Sequence, residues 1–171
     1  MNQQFYKNKK AFTLIETLLY ISLTSIILIS ISAFMGALIS TNQRNKAISE
    51  VDQQATQILQ VITESIKSAN GINTPVQAGS GSSLSLSMAN SAVNPIVISL
   101  SNNILQIQEG SVSTINLSST SVIVNNITFY NMSTDASNLA IRFEFTMSYN
   151  NTSGRKDSDL TKTYYGAATI K

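Results

Sequence analysis

The sequence predicts an α+β protein. A long N-terminal helix, membrane-spanning in its first half and amphipathic in its second, packs on an antiparallel β-sheet head. Three observations carry this. No residue from Thr17 to Gln43 is charged. Beyond that stretch, apolar residues recur at three- and four-residue spacing as far as Ala69, the stripe of an amphipathic helix. After Gly71 the chain turns to Ser, Asn, Thr and Gly, broken by short alternating runs that suit strands.

The 171 residues make one domain of ordinary size, with room for an N-terminal element outside its core. Only 12% are charged and the mean hydropathy is slightly positive, which places part of the chain in lipid. Of the 11 basic side chains, Lys7, Lys9 and Lys10 precede the apolar run, and without them 8 basic residues face 9 acidic ones. So balanced a chain has no basic stripe for a run of phosphates, and no nucleic-acid partner is expected. Cysteine and histidine are both absent. Disulfides, thiolate sites, the common zinc sites and every His-based triad or general base are thereby excluded, and the chain reads as a non-enzyme without catalytic residues, metal or cofactor.

The first half of the helix contains 12 Leu, Ile and Phe side chains between Leu18 and Ile39. At about −0.3 to −0.6 kcal/mol each they offer roughly −4 to −7 kcal/mol of insertion energy, less what the interspersed Ser and Thr subtract. A spanning helix needs about 20 consecutive, predominantly apolar residues, and the uncharged run from Thr17 to Gln43 is longer than that. Lys7, Lys9 and Lys10 ahead of it, against Arg44 and Lys46 behind it, favour a cytoplasmic N-terminus with the rest facing outward. A secretory signal peptide has the same basic and apolar order, but the best small-x-small site, Ser30-Ile31-Ser32, lies inside the run, and the helical pattern continues past it.

In the second half Ile48, Val51, Ala55, Ile58, Leu59, Ile62, Ile66 and Ala69 form the stripe, with Asp52, Gln53, Gln57, Glu64 and Lys67 on other faces. Gly36 is a mild weak point, and Asn70-Gly71 supplies a stop. One helix from Phe12 to Asn70 would be about 90 Å long at about 1.5 Å per residue.

Glu16 does not suit the start of an apolar run. At a bilayer centre it would cost on the order of 2.5 to 3.5 kcal/mol. It either sits at headgroup level, favoured by the helix dipole, or is compensated by a partner. The surrounding Lys9-Lys10-Ala11-Phe12-Thr13-Leu14-Ile15-Glu16 resembles the leader and processing motif of the type IV pilin family. That resemblance implies removal of residues 1–11 by a prepilin peptidase cutting between Ala11 and Phe12, N-methylation of Phe12, and a role for Glu16 in assembly, paired with the N-terminal amine of a neighbouring subunit. Opposite charges in a low-dielectric bundle attract strongly while each alone is costly, so the pair would set register between subunits. The motif departs from the family at Ala11, where glycine is usual, and at Ala33, where many pilins have a kinking proline. The resemblance covers about the first 40 residues.

The expected organisation is therefore a leader at 1–11, a transmembrane and assembly half of the helix at 12–43, its amphipathic half at 44–71, and a β-rich head at 72–171. Gln77 to Ser83 reads as a flexible connection. Strands are expected at Leu84–Met88, Ile96–Leu100, Ile104–Gln108, Val112–Leu117, Val122–Val124, Ile127–Tyr130, Leu139–Tyr149 and Lys162–Ile170, in an antiparallel sheet with one face on the helix stripe. This order is similar to that of J-type minor pseudopilins and PilW-like minor pilins, without the C-terminal disulfide of many pilins.

Phe143, Phe145, Tyr149, Tyr164 and Tyr165 read as core and cross-strand pairs in preference to a ligand-stacking surface. Asp157 and Asp159 could supply oxygen ligands to calcium, but a solvated turn is the simpler reading. The Asn-x-Ser/Thr triplets follow from composition and receive no role.

The resemblance implies a minor pilin or pseudopilin of a type IV pilus, type II secretion or related filament. Its partners would be other pilin-like subunits, the prepilin peptidase, an inner-membrane assembly platform and membrane lipid, with one pass through the cytoplasmic membrane before incorporation into an extracytoplasmic filament. A major pilin, or an adhesin or binding module on a plain anchor helix, are the alternatives.

Overall fold

The computed structural model describes residues 12–135, 138–152 and 159–170. Two compact units divide the chain after Asn42. Helix α1, Leu14–Lys67, contributes to both.

In the first unit Thr13 caps α1. Its hydroxyl accepts the Glu16 N–H at 3.3 Å and its carbonyl accepts from Glu16 and Thr17, satisfying donors that a helix start leaves unpaired. Glu16 lies in the first turn, where the dipole favours an anion. The most apolar 18-residue window of α1 has a mean hydropathy of 2.2 and is nowhere buried by the protein itself. Five hydroxyls in this part of the helix need no water. Those of Thr17, Ser22, Thr24, Ser25 and Ser30 donate to carbonyls one turn back, at 2.7–2.9 Å.

In the second unit the same helix follows a different pattern. Ala47, Val51, Ala55, Ile58, Ile62 and Ile66 are buried at three- and four-residue steps, the stripe that the sequence predicts from Val51 on, with Ala47 in place of Ile48, which is only half-buried. The helix ends at Lys67, a cation at the negative end of the dipole. The Asn70 N–H then donates to the Ser87 carbonyl, leading the chain into β1, Gly71–Thr74.

Among the described residues nine strands follow, in two antiparallel sheets rather than the single sheet expected. The first has the order β1-β3-β4-β5-β6, with β3 Ser83–Ser87, β4 Ile96–Ser101, β5 Ile104–Glu109 and β6 Ile115–Asn116. Asn102 and Asn103, both at positive φ (48° and 63°), make the tight turn between β4 and β5. The second sheet has the order β2-β7-β8-β9, with β2 Ser80–Gly81, β7 Val122–Asn131, β8 Ala140–Tyr149 and β9 Thr161–Thr169.

Four differences from the sequence reading have physical reasons. The supposed flexible connection contains β2, paired at Ser80 with Tyr130 and at Gly81 with Phe129. It is tied further by Asn131, whose side-chain amide donates to the Pro75 carbonyl at 2.8 Å. Its Gly79 is required by the turn, because a Cβ there would lie 2.9 Å from the Val76 carbonyl oxygen. The expected strands at Val122–Val124 and Ile127–Tyr130 are one strand, with a bulge between Val124 and Asn126 absorbing the polar Asn pair. Val112–Leu117 shrinks to two paired residues; its apolar side chains fall at 112, 115 and 117, which breaks the two-residue period, and Val112 and Ile115 are exposed. Finally, β1 joins the first sheet although Gly and Asn occupy two of its four positions.

A single core unites these elements. Val51 through Ile66 of α1 meet Leu84, Leu86, Ile98 and Leu105 from the first sheet and Ile127, Phe129, Ile141, Phe143 and Phe145 from the second. Each such side chain contributes about 1.5–3 kcal/mol on full burial. The fold is α+β, one long N-terminal helix on antiparallel sheets.

Candidate functional site

The first unit offers a surface rather than a pocket. Leu14, Ile15, Leu18, Ile21, Ile29 and Phe34 are among the apolar side chains along α1 that the protein leaves uncovered. Near their start, Glu16 accepts a long hydrogen bond from the Tyr20 hydroxyl, at 3.4 Å. Tyr20 also meets the Phe12 ring edge-on, with centroids 6.3 Å apart. Phe12, Glu16 and Tyr20 thus gather at the first turns of the helix. An ionised carboxylate has about four acceptor sites, and one long bond leaves Glu16 capacity for an ammonium donor. Ala11, the other side of the expected cleavage site, lies outside the described residues, as does Asp157 of the considered calcium pair.

On the second unit, a clasp joins α1 to β9. The Asp52 carboxylate receives Lys162 Nζ at 2.9 Å on both oxygens and the Tyr164 hydroxyl at 2.5 Å. The hydroxyl of Tyr164 and then the ammonium of Lys162 hold the Asp52 carboxyl below its ordinary value of 3.8. Burial, and then the Asp52 bond, push the Tyr164 hydroxyl above its ordinary value of 10.0. The sequence carried a signal for this clasp: Asp52 borders the apolar stripe at Val51, and Lys162 occupies the inward phase of β9. Nothing in the linear pattern shows that α1 and β9 are neighbours.

The aromatic residues divide as strand alternation dictates. Phe143 and Phe145 are buried, and Tyr164 stacks on Phe145 with centroids 5.5 Å apart. Tyr165 faces outward, 66% exposed. Beside it, the Arg142 guanidinium lies 4.7 Å from the Tyr130 ring centroid and pairs with Glu144 at 3.3 Å. Tyr130 in turn donates its hydroxyl to Glu144 at 2.8 Å. Asp159 accepts from the Asn151 side-chain amide at 2.8 Å. Among the described residues no group of three or more acidic side chains converges as a metal site would require.

No family model matches the chain, and neither does any curated protein or solved structure. What the chain shares with pilins is the architecture: a long apolar N-terminal helix, able by length and composition to span a membrane, packed in its later part on antiparallel sheets.

Proposed function

We propose that this chain is a pilin-like filament subunit, a minor pilin or pseudopilin, that acts by assembly and not by catalysis. One observation carries the reading: the first unit presents a charge-free apolar helix surface that the protein does not cover, with an acid in the first turn just before it. Twelve large apolar side chains left in water would forgo on the order of 20 kcal/mol of burial, so lipid or other helices must surround them. In this reading the helix first holds the subunit in the cytoplasmic membrane, N-terminus inside and second unit outside. It later packs among the helices of other pilin-like subunits, drawn out by an inner-membrane assembly platform.

Glu16 is the selective element. In lipid it is tolerable near the headgroups, and in a helix bundle it is stabilised only by a cation. A free amine at Phe12 of the neighbouring subunit supplies that cation once residues 1–11 are removed.

The test is the mature N-terminus, measured by mass spectrometry of the membrane fraction with and without a co-expressed prepilin peptidase. A chain beginning at methyl-Phe12 only with the peptidase is the expected result. Glu16→Gln should then remain in the membrane fraction while incorporation into sheared filaments falls at least tenfold. An intact leader under both conditions would instead make the helix a plain anchor, and cleavage after the apolar run would make the second unit a secreted protein.

A further inference from the structure

We propose that the open edge of β9 is a docking strand for a second copy of this chain, the two β9 strands pairing antiparallel about a two-fold axis at Tyr165. This rests on the second unit alone and is independent of the filament reading.

The two sheets present four edges, β1 and β6 in one and β2 and β9 in the other. Three are poor templates. β1 has four residues and an irregularity between Ile72 and Thr74, and β2 and β6 have two residues each. Short and bulged edges are common guards against unwanted strand addition. β9 has nine residues, no proline, and an unbroken register with β8 from Thr161 to Thr169. Its one charged residue, Lys162, would be a guard if free, but Asp52 of the same chain holds it at 2.9 Å.

The phase of the edge follows from two hydrogen bonds. Tyr149 N–H donates to the Leu160 carbonyl, and Ile170 N–H to the Leu139 carbonyl. Antiparallel pairs alternate in their bonding, so the even-numbered residues of β9 direct their backbone groups to β8. Thr161, Thr163, Tyr165, Ala167 and Thr169 therefore turn N–H and C=O to the open side, and no described residue bonds to them there. Their side chains stand on the outer face of the sheet.

Placed about Tyr165, the strand is complementary to itself. Thr161 meets Thr169 and Thr163 meets Ala167 on the outer face, while Lys162 meets Ala168 and Tyr164 meets Gly166 on the inner face. The exposed Tyr165 meets its own copy as a central aromatic pair. No like charges are opposed, the large Tyr164 is set against glycine, and all nine residues are paired. Five outward residues on each strand, each donating and accepting once, give about ten backbone hydrogen bonds. Such an isologous contact closes at two copies.

The chain lacks cysteine, so introduced thiols report alone. The full chain in detergent micelles would be oxidised mildly as a mixture of two differently tagged forms, Thr163→Cys and Ala167→Cys. A mixed disulfide is expected, since directly paired residues lie about 5.5 Å apart at Cα, within disulfide reach. Thr161→Cys alone should yield none, because its copy lies eight residues along the strand, roughly 27 Å away.

Ala167→Pro removes one outward N–H and no bond to β8, and Tyr165→Lys opposes two ammonium groups at the axis. Each should retain the parent circular-dichroism spectrum and a cooperative melt, and convert a dimer to a monomer by light scattering. Should Ala167→Pro fail to fold, Tyr165→Lys decides alone. A monomeric parent chain at tens of micromolar, cross-linking of Thr161→Cys as strong as that of the mixture, or a dimer that survives Tyr165→Lys in a folded chain would each overturn the proposal.

Discussion

Gly166 shows how a single position of β9 depends on its neighbour strand. It lies opposite Phe143, and a Cβ at this glycine would press on the ring, against Cζ and within 2.9 Å of Cε1. Phe143 is completely buried and cannot move aside cheaply. Gly166→Ala is therefore expected to destabilise by about 1–3 kcal/mol, as overpacked cores do, read from the denaturant midpoint at unchanged slope. Combined with Phe143→Leu, the two losses should sum to more than the double variant shows, since the smaller side chain leaves space for the methyl. Strict additivity would mean that the ring does not impose the glycine. The sequence makes Phe143 and Phe145 legible as core, because they alternate with Arg142 and Glu144. It leaves Gly166 unreadable, because only the register with β8 puts a ring over it. The signal at Phe12 and Glu16 is of a different kind, a local one, an acid and an aromatic at the start of an uncharged run, and the roles given to them belong to the proposal.

Between elements, the Asp52 clasp holds a helix to the last strand. The lowered carboxyl of Asp52 adds stability that is fully present above about 3.8, its ordinary value, and is lost as pH falls through its folded value. The raised hydroxyl of Tyr164 adds stability that is fully present below about 10.0 and is lost as pH rises through its folded value. Because the Lys162 and Asp52 side chains are 37% and 45% exposed, solvent screening limits the ion pair to about 0.2–1 kcal/mol. The difference in denaturant midpoint between the parent chain and Asp52→Asn should therefore be flat from about pH 5 to pH 9, and shrink on either side. A difference that grows below pH 4 would contradict this origin. The helix was legible along its length because an uncharged apolar run passes directly into a three- and four-residue stripe that persists through Ile66, and β4, β5 and β8 because alternation is strong. Division into two sheets was not, since β2 is two residues within a Gly- and Ser-rich stretch. Its pairing is decided by Tyr130 and Phe129, some fifty positions away.

For the whole molecule, the two units obey different solvents, and the chemistry of each can be separated at the boundary after Asn42. Every buried apolar residue of the core is at Ala47 or beyond, so the first unit contributes none. The described large apolar residues before that point are instead exposed. A fragment spanning residues 43–171 should consequently remain in solution without detergent, whereas the full chain should require it. Its free energy of unfolding should match that of the full chain in micelles within about 0.5 kcal/mol, because it keeps every residue of the described core. Hydrogen exchange should be fast up to Ala47, where the shortened helix frays before its first buried anchor, and slow from Val51 on, where α1 is held by both sheets. Loss of more than about 2 kcal/mol would mean that the apolar half of α1 supports the fold of the second unit. Retention would mean that its length of uncharged surface serves only what surrounds it, which is the property the proposed filament subunit requires.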